Sequence, residues 1–221
     1  MAAATIFDLD GTLVTWKLDI KEWRKALLEL MGARGFATDG LTVTTPTQDV
    51  LDAVKLQAAG QPGRYEAFRA EAYAELDSLE LQGLSSSTVF PDAVDTLRQL
   101  RSKGVRLCVL TNSGRRPASV SLAKSDLSSY FEFVLTRDDT ERMKPRPDGL
   151  TKAVGMLGLP REAVLYVGDS TYDVMAARQA GVKSVGVATG NSSMEQLSAA
   201  GADFVIPSIS GILGVLGVLG I

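Results

Sequence analysis

Two carboxylates, Asp8 and Asp10, follow the first apolar run of the sequence, in the string Phe-Asp-Leu-Asp-Gly-Thr at residues 7–12. Acidic side chains in alternate positions leave a strand end together, and Gly11 lets the backbone turn sharply after them. Such a pair repels unless a cation neutralises it. Mg²⁺ prefers oxygen ligands and can bridge to a phosphate. An Asp-rich turn is the alternative for an isolated Asp-x-Asp, but the complete string is far more specific to a metal and phosphate site.

Hydroxyl and amide groups follow a second apolar run, at Thr111, Asn112 and Ser113. The hydroxyl and the backbone N–H groups here could hold a phosphoryl oxygen, especially near a following helix N-terminus. A polar turn or a helix cap explains the same residues. Taken alone, the motif favours that structural explanation.

Lys144 lies in a proline-containing loop, Met-Lys-Pro-Arg-Pro-Asp-Gly at residues 143–149. Two prolines stiffen the loop and help to fix the direction of the lysine. Its ammonium could then offset the charge of a phosphate and of nearby carboxylates. A surface lysine is the better explanation of this motif when it is taken alone.

Two more carboxylates, Asp169 and Asp173, follow the fourth apolar run. Asp169 falls at the strand end, where it could complete a metal site. Asp173 lies one helical turn further on the same side, so it could support the site through water or by positioning Lys144. The alternative for Asp169 is a helix N-cap.

These residues can act together only if one sheet brings the loops that carry them to the same edge. Short runs rich in Val, Leu and Ile predict buried strands at 4–7, 105–110, 133–135, 164–167, 184–187 and 204–206. Helices are predicted between them at 91–103, 118–127, 148–158 and 173–180. The alternation predicts an α/β fold with a doubly wound, Rossmann-like parallel sheet. Ligands of such sheets bind at the carboxyl ends of the strands, where the motifs fall.

A helical region interrupts this alternation after the first strand. Helical patterns at 20–31, 47–59 and 65–79 are separated by breaks rich in glycine and proline. We therefore predict an α/β core of residues 1–14 and 89–221, with residues 15–88 inserted as a small helical cap domain. The apolar tail at 209–221 is shorter than the roughly 20 residues that a membrane-spanning helix needs. We expect it to dock on the core.

Composition excludes several kinds of chemistry. The chain of 221 residues has no histidine and one cysteine, Cys108, which we expect to be buried in a strand. Histidine-activated nucleophiles, histidine-ligated zinc and an internal disulfide are therefore excluded, and acid–base work falls to carboxylates, lysine or tyrosine. A net charge of −3 gives no indication of a nucleic-acid partner. The first residues lack a secretory signal, so we expect a cytoplasmic monomer with no membrane partner.

The four motifs, in this order over nearly the whole chain, resemble those of the haloacid dehalogenase (HAD) superfamily of hydrolases. The position and helical character of the insert resemble the family's cap. The string Thr-Arg-Asp-Asp at 136–139, with Lys-Pro-Arg-Pro at 144–147, resembles the phosphoglycolate phosphatase branch. The resemblance implies a magnesium-dependent phosphatase that acts on small phosphorylated metabolites, phosphoglycolate among them.

The resemblance also implies a role for each candidate residue. Asp8 would be the nucleophile that forms an aspartyl-phosphate, and Asp10 would protonate the leaving oxygen and then deprotonate the attacking water. The phosphate-binding groups would be Thr111, the backbone of Asn112, and Lys144. The magnesium ligands would be Asp8, the backbone carbonyl of Asp10, and Asp169, with Asp173 in a second shell around them.

Three alternatives to the phosphatase stay open. A sugar phosphomutase uses the same core residues under a cap that excludes water. A phosphoacceptor receiver domain also combines an acidic cluster with a hydroxyl and a lysine on a doubly wound sheet, although such domains are much shorter. A scaffold without activity would keep only the fold. The presence of Asp10 argues against dehalogenation.

Several residues near the start of the insert and in its helices have no assigned role. Lys17 and Lys55 are candidates for the Schiff-base lysine of phosphonate-cleaving relatives. Trp16 and Trp23 are predicted to pack the cap helices, with substrate contact by Trp16 as the alternative.

Overall fold

The computed structural model describes residues 4–15 and 19–219. Six parallel strands form one sheet: β1 (Ala4–Phe7), β2 (Arg106–Leu110), β3 (Val134–Leu135), β4 (Val164–Gly168), β5 (Lys183–Val187) and β6 (Phe204–Ile206). Their order is β3-β2-β1-β4-β5-β6, which is the order of a doubly wound, Rossmann-like sheet. The predicted fold class is confirmed, and each predicted strand occurs within one residue of its expected bounds.

The strand order also separates this chain from receiver domains. Sheets of the receiver type have five strands in the order 2-1-3-4-5, whereas β1 here lies between β2 and β4. The hypothesis of a receiver domain is therefore wrong.

The described chain divides into two compact units, one of residues 4–15 and 86–219 and the other of residues 19–85. The second unit holds three helices, α1 (Ile20–Ala33), α2 (Thr47–Gln57) and α3 (Arg64–Gly83). Asp19 caps α1 by accepting hydrogen bonds from the N–H groups of Lys21 and Glu22. The predicted helices of the insert are therefore found where the periodicity placed them.

Helices cover both faces of the sheet in the first unit. They are α4 (Ala93–Ser102), α5 (Arg115–Lys124), α6 (Asp148–Leu157), α7 (Thr171–Ala180), α8 (Met194–Ala199) and α9 (Ile212–Val218). Apolar side chains of α4, α5 and α9 pack in one core cluster, and those of α6 and α7 pack in the other. Because successive strand residues point to opposite faces, β4 supplies Leu165 and Val167 to the first cluster and Val164 and Tyr166 to the second.

Two helices, α5 and α8, differ from what the sequence predicted. We expected α5 to begin at Ala118, but it begins at Arg115, with Pro117 in its first turn. Proline is tolerated there because the first N–H groups of a helix have no partner within it. We did not predict α8, although Ser193 and Gln196 form a reciprocal capping box at its start.

The tail and the cysteine have the structural roles that we expected. Ile209, Ile212 and Leu216 are fully buried against the first core cluster. Burial raises the pKa of the Cys108 thiol to about 12, so this residue stays a small apolar group at neutral pH. No helix in residues 4–15 or 19–219 is long and apolar enough to cross a membrane.

Candidate active site

The site lies where the strand order reverses, at the carboxyl ends of β1 and β4. The two strands are paired so that Phe7 lies opposite Val167, and the Asp8 N–H donates to the Val167 carbonyl at 2.8 Å. Asp8 is therefore held beside the end of β4, where Asp169 follows. Crevices at such reversal points are the usual ligand sites of open α/β sheets.

Lys144 joins the loops that follow β1 and β4. Its Nζ donates to Asp8 Oδ1 at 2.7 Å and to Asp173 Oδ1 at 2.6 Å. The side chain is buried, with 7% of the residue surface exposed, so the surface-lysine explanation is wrong. Burial lowers the pKa of a lysine, but the charges of Asp173 and Asp8 outweigh it and raise the pKa of Lys144 above its ordinary value. The ammonium is charged at neutral pH.

Asp173 has both of its carboxylate oxygens occupied by donors. Oδ1 accepts from Lys144 and, at 2.8 Å, from the Tyr166 hydroxyl. Oδ2 accepts from the backbone N–H and the hydroxyl of Ser170 in the capping box of α7. Burial raises the pKa of this carboxyl, but the Lys144 charge and these hydrogen bonds outweigh it and lower the pKa. The sequence prediction that Asp173 positions Lys144 agrees with this geometry.

The Asp169 side chain lies close to the backbone at Gly11, Gly190 and Asn191. Its Oδ2 accepts from the Asn191 N–H at 2.6 Å, and its Oδ1 accepts from the Thr12 hydroxyl at 3.5 Å. A Cβ at Gly190 would lie 2.0 Å from Asp169 Oδ2, and one at Gly11, whose φ is +85°, would lie 2.6 Å from the same atom. Both positions therefore require glycine. The helix N-cap is Ser170, so the N-cap explanation of Asp169 is wrong.

Asp10 is turned toward the loop after β2. Its Oδ2 accepts from the Ser113 hydroxyl at 2.5 Å and from the Thr111 hydroxyl at 3.5 Å. Burial, and then the charge of Asp8, raise the pKa of Asp10 to about 7. The N-cap residue of α5 is Gly114, so Thr111 is not a helix cap.

Asn112 fixes the backbone of Lys144 by a two-point contact. Its Nδ2 donates to the Lys144 carbonyl, and its Oδ1 accepts from the Lys144 N–H, both at 3.0 Å. Arg137 Nη1 in turn donates to the Asn112 carbonyl at 2.9 Å. The loop after β2 therefore holds the loop that carries the lysine.

A carboxylate oxygen from each of Asp8, Asp169 and Asp173 lies within 4.8 Å of the others, and all three residues are buried. Burial is the largest cause that raises the pKa of Asp8 to about 8 and that of Asp169 to about 6, and in each the charge of Asp173 adds to it. The raised pKa values of Asp8 and Asp169 in this buried cluster fit a divalent cation with oxygen ligands, because the cation would stabilise the ionised carboxylates.

The structure brings all seven predicted site residues into one connected group at this edge of the sheet. It also shows contacts that were not predicted, of Tyr166 with Lys144 and Asp173 and of Arg137 with Asn112. A buried tyrosine needs a partner for its hydroxyl, which was the available signal for Tyr166. The contact of Arg137 with Asn112 joins segments that are far apart in sequence, so no local pattern indicates it.

The structure describes two of the four residues that had no assigned role, Trp23 and Lys55. Trp16 and Lys17 lie outside the described residues. Trp23 is buried with 1% exposed, as expected for a packing residue. Lys55 Nζ lies 5.7 Å from the centre of the Tyr65 ring, within the same unit.

Comparisons with known proteins agree with this geometry. The model of the haloacid dehalogenase-like hydrolase family matches residues 5–187. Pyrophosphatase PpaX of Anoxybacillus flavithermus is 31% identical over 94% of both chains. Phosphoglycolate phosphatase of Rhodobacter capsulatus is 32% identical over 84% of both chains.

Solved structures show the same fold. The crystal structure of a hydrolase from Pseudomonas syringae is 25% identical, covers 98% of this chain and 99% of its own, and superposes with a TM-score of 0.68. The family match spans more than half of the chain and includes the strand ends that carry Asp8, Thr111, Lys144 and Asp169. The protein belongs to the haloacid dehalogenase-like hydrolase family.

Proposed function

We propose that this protein is a magnesium-dependent phosphatase of small phosphomonoesters that works through a phosphorylated Asp8. The observation that carries the proposal is the buried contact of Lys144 Nζ with Asp8 Oδ1 at 2.7 Å, within a cluster of three acids. This arrangement places the Asp8 carboxyl beside one fixed ammonium at the ligand-binding edge of the sheet, where a bound Mg²⁺ would favour its ionised form.

Asp8 is the proposed nucleophile because one of its oxygens is free to attack. Lys144 holds Oδ1, and no donor among the described residues reaches Oδ2. Forming a bond from a carboxylate oxygen to phosphorus, with loss of the leaving oxygen, gives the aspartyl-phosphate. Water then attacks phosphorus and regenerates the carboxylate.

Asp10 is the proposed acid and base of the two steps. Its pKa near 7 allows it to donate a proton to the leaving oxygen and then to accept one from water at neutral pH. The Ser113 hydroxyl holds Oδ2 at 2.5 Å, so Oδ1 is the oxygen proposed to exchange the proton.

The phosphoryl group is proposed to bind the Thr111 hydroxyl and backbone groups at Asn112, with the Lys144 ammonium beside it to offset its charge. These groups come from two loops that Asn112 ties together. Fixed donors that surround a transferring phosphoryl group supply most of the catalysis in such reactions, because there is little covalent chemistry for the protein to do.

The proposed magnesium ligands are Asp8, the backbone carbonyl of Asp10, and Asp169. Asp173 is placed outside this set because its two oxygens accept four hydrogen bonds of 3.0 Å or less, whereas among the described residues Asp169 Oδ1 accepts only the 3.5 Å contact from Thr12. A bound Mg²⁺ would neutralise the carboxylates and polarise the phosphoryl oxygens. The residues of the chain then need only to hold the ion and orient the phosphoryl group.

The substrate class rests on the relatives and on the helical insert. One relative is named for phosphoglycolate and another for pyrophosphate, so both compounds are candidate substrates. We propose that residues 15–88 are the cap that selects among them, and that the protein is a cytoplasmic monomer whose partner is a small phosphorylated metabolite.

A phosphatase screen tests this proposal. Purified protein is given phosphoglycolate, pyrophosphate, hexose phosphates and other phosphorylated metabolites, with Mg²⁺ and with EDTA, and kcat/KM is measured for each. We expect magnesium-dependent release of inorganic phosphate from at least one compound. Absence of phosphate release across the panel contradicts the proposal, and transfer of phosphate within a hexose phosphate supports the phosphomutase instead.

A further inference from the structure

Tyr166 lies in β4, beneath the acid cluster, and has no role in the proposed chemistry. Its hydroxyl accepts from Lys144 Nζ at 2.9 Å and donates to Asp173 Oδ1 at 2.8 Å. The ring faces the second core cluster, and the residue is buried, with 1% exposed. A buried phenol between an ammonium and a carboxylate is more than a packing residue, because a phenylalanine would fill the same space.

The hydroxyl completes the set of acceptors around Lys144. A lysine ammonium has three N–H donors and no acceptor, and three acceptors lie within hydrogen-bond distance: Asp8 Oδ1, Asp173 Oδ1 and Tyr166 Oη. With all three hydrogens used, the ammonium has one favoured orientation. That orientation keeps one N–H on Asp8.

Tyr166 also holds Asp173 in place. Its O–H donates to the same oxygen that accepts from Lys144. Burial and the charge of Asp173 raise the pKa of Tyr166 well above its ordinary value, so the phenol keeps its proton and stays a donor. Lys144, Asp173 and Tyr166 therefore form a closed triangle of hydrogen bonds.

We propose that Tyr166 is a positioning residue, which fixes the Lys144 ammonium on Asp8 by occupying its third N–H and by holding Asp173. This inference rests on the proposed phosphatase function. Tyr166 does not touch the phosphoryl group, so its loss leaves substrate binding intact and weakens the hold on the ammonium while charge moves between Asp8 and phosphorus.

The test is Tyr166→Phe, which removes only the hydroxyl. With saturating Mg²⁺ and the best substrate of the screen, we expect kcat to fall about tenfold to a hundredfold, the range for one hydrogen bond to a charged group. KM should change by less than about twofold, because ground-state binding does not use the hydroxyl. The magnesium dissociation constant, measured by equilibrium dialysis, should stay within about twofold, because Tyr166 does not contact the proposed ligands.

Tyr130→Phe is the matched control. Tyr130 packs against the first core cluster, on the other face of the sheet, and should keep the kcat and KM of the wild type. Thermal unfolding of each variant shows whether the fold is kept. If Tyr166→Phe does not fold, Tyr166→Met replaces it, because methionine fills irregular core space without a hydroxyl.

The outcomes separate this inference from the function on which it rests. Wild-type protein without phosphatase activity contradicts the proposed function. Active wild type with an unchanged kcat in Tyr166→Phe overturns the positioning role, even if the unfolding temperature falls. A rise of KM at unchanged kcat overturns it as well, because Tyr166 would then act in substrate binding.

Discussion

One ion pair at the carboxyl edge of the sheet and one in the helical unit of residues 19–85 differ in how far water reaches their charges. At the sheet edge, Lys144 and Asp8 are buried and lie 136 residues apart in sequence, and their hydrogen bond is 2.7 Å long. In the helical unit, Lys25 and Glu29 are one turn apart, 3.9 Å from each other, with 70% and 69% of their side chains exposed.

This difference indicates which charged residues form a functional site. Exposed ion pairs contribute little to stability because water solvates each partner almost as well. Buried charges must be desolvated and persist only where partners and geometry compensate for that cost. Four acidic residues and one lysine at the sheet edge therefore mark a site, whereas many charges on the helices mark only a solvated surface. Each prediction below tests this contrast.

The largest effect is expected for Asp8→Asn, which keeps the size of the side chain and removes the proposed nucleophile. We expect kcat/KM to fall at least about ten-thousandfold, as for loss of the nucleophile in other covalent catalysts. The fold should be kept, because the change removes a buried carboxyl whose pKa is raised to about 8. Phosphate release and thermal unfolding measure the two effects. Activity near the wild-type value would refute the assignment of Asp8.

Substituting two lysines in the same way compares the two regions directly. Lys144→Met leaves Asp8 and Asp173 without their shared cation, and the loss of one partner of a buried pair costs about 3–5 kcal/mol. Lys25→Met removes one exposed pair and should cost less than about 1 kcal/mol. Chemical unfolding in EDTA gives both values, and only Lys144→Met should also abolish phosphate release. Equal costs for the two variants would contradict the comparison.

The stability of the metal-free protein should fall as pH rises from about 5 to 8. Asp8 and Asp169 have folded pKa values of about 8 and about 6, against an ordinary value of 3.8. Because the folded state keeps these protons to higher pH than the unfolded state, each group lowers the stability by up to about 1.4 kcal/mol per pH unit until it ionises in the folded state, near pH 6 for Asp169 and near pH 8 for Asp8. Thermal unfolding in EDTA across this range measures the effect.

Magnesium should reverse this loss. The ion binds ionised carboxylates, so the increase of the unfolding temperature on adding Mg²⁺ should be larger at pH 8 than at pH 5. Asp169→Asn is the matched control, and it should weaken both the pH dependence and the magnesium effect. A metal-free protein that becomes more stable toward pH 8 would contradict the burial of ionised acids at this edge.

The smallest effect is expected in the helical unit. Arg34 pairs with Glu71 across α1 and α3, and about half of the Arg34 side chain is exposed. Arg34→Gln should leave kcat within about twofold of the wild type, because screened surface pairs contribute little. A large fall in kcat would show that charges of this unit take part in the reaction, and it would remove the contrast between the regions.

Sequence patterns predicted the residues at the carboxyl edge of the sheet better than the side chains that hold those residues in place. Runs such as Val164 to Val167 predicted strands because burial on both faces requires continuous apolar sequence, and the strand ends then located Asp8 and Asp169. The role of Tyr166 was missed because it depends on which face of β4 meets the lysine loop. Arg137 was missed because its contact with Asn112 joins segments that only the folded chain brings together.

Helix ends, like the contacts of Tyr166 and Arg137, were predicted less well than the helices and strands themselves. The predicted start of α5 was three residues late, and Pro117 lies in its first turn, where a proline costs no hydrogen bond. The apolar periodicity of the sequence predicted the three helices of the helical unit. The role of this unit in choosing a substrate stays a prediction, since exposed polar residues carry little information about a ligand.

Chemical trapping of the phosphorylated carboxylate tests the central claim most directly. The protein is mixed with Mg²⁺ and its best substrate, quenched during turnover, and reduced with borohydride, which converts an aspartyl-phosphate to homoserine. We predict homoserine at position 8, none in EDTA, and none in Asp8→Asn. Homoserine at another aspartate, or full turnover of Asp8→Asn, would contradict the account.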